Sequence, residues 1–445
     1  MKVKNYIFVI LMLFFSSIIT AQNRVPFGVQ FDKDLHGDML MIGNNTLNRN
    51  TGSGFTPNVP CNDPNQGNGV QMGYIDIDND SSTFCSSSAN LAIPGSVSRC
   101  SRIVYARLYW GAIVSGNDSR ANINKIKFKT PGAGGYNNIV GNIIHDAGSN
   151  PISSNKPYAC SADVTNLVIA AGSGTYTIAD LVSSTGLNTD SSGTGLSAGW
   201  SLYVVYEDPE LPAKSIVSYE GFSGISVSGN PQLDINLNNF RTKAVGPVRA
   251  KYAFMSLEGD QNISGDYLSI NGYYMSGGTR ATDNFFNSSI TPVGVRVPNS
   301  TNTLGVDCGI IDVPNGGNAT IGNNVVSATI TLGTNQDTYF HFFDAFSVEI
   351  IEPKILITKL IKNLLGVDIA NTGVGICEDL KYEISILNVS NDDVVNLTIR
   401  DVLPKNITFN PATLVLPPGI LVQSYNPVTR VIIFTVANNL VKSLA

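Results

Sequence analysis

An all-β chain is predicted here: an antiparallel, jelly-roll-like β-sandwich over residues 22–352, followed by a second, smaller sandwich over 353–445. Three observations predict it. Apolar side chains recur with a period of two, long amphipathic helical periods are nearly absent, and clusters of Gly, Asn, Ser and Pro break the apolar stretches at short intervals. Parallel sheets would need crossover helices that this pattern lacks, so the strands are expected to pair antiparallel.

Residues 1–21 have the three parts of a secretory signal: Lys2 and Lys4, an apolar run from Tyr6 to Ile19 broken by serines, then Thr20 and Ala21 ahead of Gln22. That run is too short to span a bilayer. The mature chain is therefore expected to begin at Gln22, to be exported, and to carry no transmembrane segment. Strands follow at 102–114 and 124–130. In the latter, Ile126 and Phe128 alternate with Lys125, Lys127 and Lys129, the mark of a solvated or edge face. One short helix is predicted over 163–171, with Asp163 to cap it and Gly172 to stop it. Further strands are expected at 200–207, 216–219, 251–258, 267–274, 325–332 and 340–351. In 325–332, Val326, Ala328, Ile330 and Leu332 share one face. The domain boundary falls at Glu352 and Pro353, because proline cannot donate to a ladder. Beyond it, 379–404 reads as two alternating strands, an Asn-rich turn and a strand ending on Asp401-Val402-Leu403-Pro404.

Charged residues make up 14% of the chain and hydrophobic ones 43%, with 42 glycines, a composition typical of exported β-proteins. A net charge of −6 leaves no basic footprint, so nucleic acid is not an expected partner. Six cysteines suit an oxidising compartment, and without a C-x-x-C or a Cys/His cluster they suit bridges better than zinc. The pairings expected are Cys61 with Cys85 and Cys100 with Cys160. Cys308 and Cys377 lie on either side of the boundary, each expected as a buried free thiol unless the two pair.

The final stretch resembles a bacterial and archaeal surface-protein domain, the Ig-like repeat of the eleventh domain-of-unknown-function family. The likeness rests on Lys359, on Glu378-Asp379-Leu380-Lys381-Tyr382, on Ile386-Leu387-Asn388-Val389-Ser390 and on Leu397 to Pro404. Fewer candidate strands follow Lys354 than the about seven an Ig-type sandwich needs, so the domain reads as incomplete. The preceding region resembles the long N-terminal module of exported, adhesin-like Bacteroidetes proteins. Here the carrying residues are Gly37-Asp38-Met39-Leu40, Asp76 to Asp80, Ser86 to Leu91, Ala106 to Gly111, Ala198 to Leu202 and Tyr206-Glu207-Asp208. The resemblance implies display at the cell surface without assigning a ligand.

Candidate chemistry is sparse. Asp76, Asp78 and Asp80 form D-x-D-x-D, an oxygen cluster suited to a hard cation such as Ca²⁺, although Ser82 and Thr83 break the EF-hand template. The alternative is a solvated loop whose aspartates make local turns. Gly195-Leu196-Ser197-Ala198-Gly199 matches the G-x-S-x-G of serine hydrolases, but a strand follows where that motif needs a helix. The one histidine after it, His341, sits in an apolar strand. Asp32 with Asp34, and Glu207 with Asp208 and Glu210, are the acidic pairs open to a glycosidase reading. Trp110, Trp200 and Tyr109 could stack on sugars, or pack in the core. An isopeptide bond would draw its amine from Lys359, though Glu383 lies on the wrong face to assist. The expectation is a non-enzymatic, adhesin-like or structural surface protein with an unidentified protein or glycan ligand. A carbohydrate-active sandwich, lectin or hydrolase, is the alternative.

Overall fold

The structure, a computed structural model, describes residues 24–50, 56–94, 101–116, 118–149, 156–188, 195–292, 294–350, 354–389, 394, 396–438 and 440–441. The expected signal segment 1–21, Cys100, the boundary at Glu352 and Pro353, and the Asn391 turn lie outside these residues. The chain divides into two compact units, one running to Phe240 with Pro247–Glu349, the other made of Arg241–Gly246 and Ile350–Ala445. Strands dominate both, as the alternation predicts.

The first unit is organised by one 22-residue strand, Arg24–Asn45. Its first half pairs with Ala213–Ile225, from Arg24 opposite Ser223 to His36 opposite Ala213. The second half pairs with Ala198–Glu207, from Gly37 opposite Glu207 to Asn45 opposite Gly199. Two half-sheets are thereby joined into a ten-stranded sheet. One continues from Ala213–Ile225 through Tyr339–Glu349, Ala250–Leu257 and Val306–Asp312 to Ile290–Thr291. The other continues from Ala198–Glu207 through Arg102–Ile113 and Pro157–Asp163 to Asn142–Asp146. Pairing is antiparallel apart from Ile290–Thr291, which runs parallel to Val306–Asp312.

The half-sheets face each other across an aromatic core. Tyr109 and Tyr203 from one meet Phe343 from the other, with ring centroids 4.3 and 5.0 Å apart. Close approach requires glycine here: a Cβ at Gly199 would stand 2.7 Å from Val306 Cγ1. A five-stranded sheet, ordered Arg296–Val297, Ser86–Leu91, Gly174–Ala179, Lys125–Lys129 and Asn137–Val140, covers the outside of one half. Trp200 Nε1 donates to Ser87 Oγ and Trp110 Nε1 to Ile123 O across that contact, each at 2.9 Å. A four-stranded sheet, Gln232–Leu237, Ala328–Thr334, Asp266–Ile270 and Tyr273–Tyr274, covers the other, where the Tyr339 hydroxyl donates to Gly333 O. Central strands are consequently covered on both faces, and Tyr339–Glu349 is buried throughout.

Some expectations shift in detail. The lysine strand lies inside its sheet, between Gly174–Ala179 and Asn137–Val140, so it is not an edge. Lys127 pairs with Asp180 at 3.0 Å. The strand expected from 325 begins at Ala328, leaving Val326 exposed. The helix spans Thr165–Ala171 with Val164 at the cap position, while Asp163 Oδ1 still accepts from Thr165 N at 2.8 Å. Gly172 ends it with φ at 66°.

The second unit comprises the hairpin of Ile355–Lys362 with Lys381–Asn388 and a three-stranded sheet ordered Thr398–Val402, Val431–Val436, Ile420–Asn426. Its core gathers Val394, Ile399, Leu403, Ile432, Phe434, Val436 and Val441. Tyr425 and Phe409 pack edge to face at 5.1 Å beside it.

Candidate functional site

The D-x-D-x-D loop sits between Met72–Tyr74 and Ser86–Leu91, and each of its carboxylates is held by a near neighbour. Asp76 Oδ1 accepts from Ser86 Oγ at 2.9 Å, and Asp80 Oδ1 accepts from Ser82 N at 2.9 Å. Asp78 takes most donors: its own Oδ1 accepts from Asp80 N at 3.0 Å and Thr83 Oγ1 at 3.2 Å, and Oδ2 from the Tyr136 hydroxyl. The contacts to Asp80 N, Ser82 N and Thr83 Oγ1 are local turns of the kind aspartate favours, while Ser86 and Tyr136 reach in from the next strand and from 58 residues away. Burial pushes the Asp78 carboxyl up, but the donors Tyr136, Asp80 and Thr83 outweigh it and hold it below the ordinary value. Asp76 is pushed up instead, by burial and by Asp78 beside it. Among the described residues, no group of three or more His, Cys, Asp or Glu side chains converges to hold a metal ion. Next to the loop lies a groove of 290 Å³ whose lining includes Asp78, Tyr136, Lys129, Thr175 and Thr177. A second groove, of 430 Å³, runs along the helix start between Tyr105 and Thr165.

The cysteines correct their expected pairing. Cys61, Cys85 and Cys160 are buried free thiols, so Cys61 and Cys85 are not bridged, and the partner expected for Cys160 lies outside the described residues. Two of the sulfurs are committed elsewhere: Cys85 Sγ donates to Leu181 O and accepts from Leu181 N, and Cys160 Sγ donates to Ile123 O. Sequence spacing says nothing of where a Cβ points, and bridge geometry depends on that. Burial raises all three thiols, and Cys308 to about 12, which makes them poor nucleophiles. Cys377, expected to be buried, is exposed.

Ser197 is fully buried, its Oγ has no partner, and it does not meet His341. His341 is engaged instead by two residues the sequence did not single out. Ser256 Oγ lies 2.8 Å from His341 Nδ1, and His341 Nε2 lies 2.8 Å from Asp344 Oδ2. The Tyr252 hydroxyl donates to Asp344 Oδ1. Register produces this line, since Ser256 and His341 are cross-strand partners beside a bulge, and Asp344 lies three residues along the same strand as His341. The order resembles a serine-protease relay, yet all three residues are 0% exposed and the imidazole stacks on Phe27. No substrate reaches an interior Oγ, so the line serves to satisfy polar groups between layers.

The sugar-binding aromatics are also interior: Trp110, Trp200 and Tyr109 are each 0% exposed. Glu207 pairs with Arg102 at 2.6 Å, and Asp208 accepts from Ser101 Oγ and Glu210 N. Asp32 and Asp34 sit exposed on the long strand, two residues apart and opposite Val217 and Ser215 of the paired strand. A deeper carboxylate carries no local sequence signal: Glu220 is held by both Arg107 Nε at 2.9 Å and Ser161 Oγ at 2.8 Å. In the second unit, Lys359 Nζ meets Asp401 Oδ1 at 2.6 Å and lies 4.6 Å from the Tyr382 ring centroid, whereas Glu383 pairs with Lys362. No helix among the described residues is long and apolar enough to cross a membrane.

No family model matches this chain, and no curated protein matches it. Among solved structures, one of PNGase F, a glycosylasparaginase from Flavobacterium meningosepticum, aligns over 70% of this chain and 96% of its own at 10% identity and a TM-score of 0.21. PNGF-II aligns over 70% and 65% with the same identity and TM-score. The major capsid protein P2 of bacteriophage PM2 aligns over 60% and 98%, at 10% identity and a TM-score of 0.17. Likenesses this slight carry no argument about activity.

Proposed function

We propose that the chain is an exported, non-enzymatic surface protein, adhesin-like or structural, whose stacked sheets hold loops in fixed positions. One observation carries the reading: the residues best suited to chemistry or to sugar stacking, Ser256 with His341 and Asp344, and Trp110 with Trp200, are all enclosed between layers. Residues spent on rigidity leave the loops to make contact, a common division of labour in β-sandwich proteins. The resemblance of residues 359–404 to an Ig-like surface repeat supports a spacer role for the second unit, and residues 1–21 support export. Purified full-length chain is expected to adhere to cells, extracellular matrix or glycan surfaces, and the mature protein to begin at Gln22 by N-terminal sequencing. Turnover of a glycoside or glycopeptide library, abolished by a substitution in the chain, would overturn the non-enzymatic reading.

A lectin-like second reading draws on a different pair of aromatics. Tyr273 and Tyr274, 49% and 57% exposed, line the edge of the four-stranded sheet, with the Tyr267 ring 5.2 Å from Tyr274. Exposed tyrosine faces suit sugar rings. Glycan-array binding that is lost in the Tyr273→Ala, Tyr274→Ala double variant supports this reading. An array signal unchanged by the variant removes it.

A further inference from the structure

The outward face of the four-stranded sheet combines aromatic rings with a row of fixed polar groups. Leu233, Ile235, Leu268, Ile330 and Leu332 are buried on its inner side, so the residues alternating with them stand outward. Register sets those residues in rows. Gln232 and Tyr267 flank Gly333 in one row, and Asp234, Thr331, Ser269 and Tyr274 make the next. Crossing four strands at roughly 4.8 Å per strand, a row spans about 14 Å.

Two observations set this face apart from an ordinary solvated one. The first is that Tyr267 lies over Gly333: a Cβ there would stand 2.4 Å from both Cζ and the hydroxyl oxygen of Tyr267 and 2.9 Å from its Cε1. The ring is thereby spread along the sheet instead of standing up in solvent, and Tyr274 rises beside it with centroids 5.2 Å apart and planes at 70°. The second is that the polar side chains brace one another. Gln232 Nε2 donates to both carboxylate oxygens of Asp234 at 3.0 Å, Thr331 Oγ1 donates to Asp234 Oδ1 at 2.7 Å, and Thr329 Oγ1 donates to Asn236 Oδ1 at 3.0 Å. Asp234 is exposed, and an ionised carboxylate offers about four lone-pair sites, so it keeps acceptor capacity for a ligand. Burial, then Tyr274 and Asp234, raise the Tyr267 hydroxyl above its ordinary value, as expected of a ring whose polar end is within electrostatic reach of that carboxylate.

Charge decides what such a face accepts. None of the four strands carries a lysine or an arginine, and with Asp266 enclosed, Asp234 is the one charge they turn outward. A sulfated or sialylated glycan would meet a carboxylate and no cation, whereas a neutral sugar meets a ring for its apolar C–H side and an acceptor for its hydroxyls. We propose that Tyr267, Tyr274, Asp234 and Thr331 form a platform for a neutral oligosaccharide laid across the strands. The proposal rests on the lectin-like reading above and narrows it. Tyr273 stands opposite the core residue Ile270, so it belongs to the other side of the strand and lies outside the platform.

The test is an array of neutral gluco-, manno-, galacto- and xylo-oligosaccharides beside sialylated and sulfated glycans, probed with the full chain and its variants. Neutral oligosaccharides are expected to bind and the charged glycans to give no signal. In calorimetric titration with the best neutral binder, Tyr267→Ala and Asp234→Ala are each expected to weaken binding by roughly tenfold or more, with Tyr267→Phe and Tyr273→Ala within about twofold of the parent chain. Gly333→Ala keeps every polar group at a backbone angle open to alanine, and its methyl is expected to lift the ring off the strand and weaken binding as Tyr267→Ala does. That variant decides the matter should Tyr267→Ala fail to fold. Full binding in Tyr267→Ala or Gly333→Ala, loss in Tyr273→Ala alone, or a preference for the charged glycans would overturn the platform and leave the lectin-like reading standing. An array on which the parent chain binds nothing would remove both.

Discussion

The two units share one side-chain pattern and differ in depth. In the first, Trp110, Trp200, Tyr203 and Phe343 are 0% exposed, because half-sheets sandwiched between outer sheets are covered twice. In the second, the best-covered core side chain is Ile432 at 3%, and Phe434 stands at 7%. Its outer strand faces leave Leu356, Ile357 and Leu421 at least half exposed. Alternation alone decides which side chains point inward, whereas the number of layers decides how much water they lose. A small two-layer unit buries less of its apolar surface and is correspondingly marginal. Two unfolding transitions are therefore expected, the second unit melting first.

The largest effect that could break this comparison is expected at Arg280. Its guanidinium pairs with Asp307, donates to Ser289 O, and lies 4.7 Å from the Phe254 ring centroid. Arg280→Met leaves the buried Asp307 carboxylate without its counter-charge, held only by the Ser288 and Ser289 amides, at a cost of about 3–5 kcal/mol. Denaturant unfolding is expected to show the upper transition move while the lower one stays. Were both to move together, the units would be one cooperative body and the contrast in depth would lose its meaning.

Phe434→Ala sharpens the contrast from the other side. Phe434 is a nearly buried ring, so truncation is expected to cost about 3 kcal/mol. That loss is expected to abolish the lower transition at room temperature. The same truncation at Phe343 in the first unit is expected to lower its midpoint without unfolding it.

How the chain alternates was legible from the sequence; what the alternating strands meet was not. Ile126 and Phe128 face inward as the pattern requires, and 102–114, 200–207 and 340–351 read as strands because their runs are apolar and β-branched or aromatic. Register is a pairwise property, however. Ser256 meets His341 because two strands align 85 residues apart, and no local signal records that. The aspartates at 76–80 were conspicuous because they are adjacent, which is also why several of their donors, Asp80 N, Ser82 N and Thr83 Oγ1, lie within the same loop, while the Tyr136 hydroxyl comes from far along the chain. Asp260, Asp266 and Asp337 were not conspicuous, since the fold and not their spacing brings them near one another. Trp110 and Trp200 look like sugar platforms in a list of residues and become core once an outer sheet covers them.

A smaller effect separates the units by pH. Burial pushes the Asp266 and Asp337 carboxyls up to about 7 and about 8 in the fold, against an ordinary 3.8, because it disfavours their charged forms. The folded state then holds protons that the unfolded chain has released, so their contribution is full below about pH 4 and is lost as pH rises through 7 and 8. His145 acts in the opposite sense. Burial lowers it from 6.5 to about 4, and its contribution is present above 6.5 and lost as pH falls toward 4. Between about pH 6.5 and 8 the aspartates dominate, and the upper transition is expected to fall by several degrees while the lower holds still. Asp337→Asn is expected to flatten that slope, and an unchanged slope would remove the buried acids as its cause.

The smallest expected effect lies in the second unit. Lys359 joins the hairpin to the three-stranded sheet by pairing with Asp401 at 2.6 Å, and the two side chains are 31% and 13% exposed. A partly solvated pair of this kind contributes about 1 kcal/mol or less, and salt screens it. Lys359→Met keeps the stem that packs on Tyr382 and removes only the charge, so the lower transition is expected to shift by less than about 1 kcal/mol and to lose part of its salt dependence. A much larger loss would mean that the pair, rather than the Phe434 core, holds the two sheets of this unit together. The second unit would then be an electrostatically fastened structure and not a thinner version of the first.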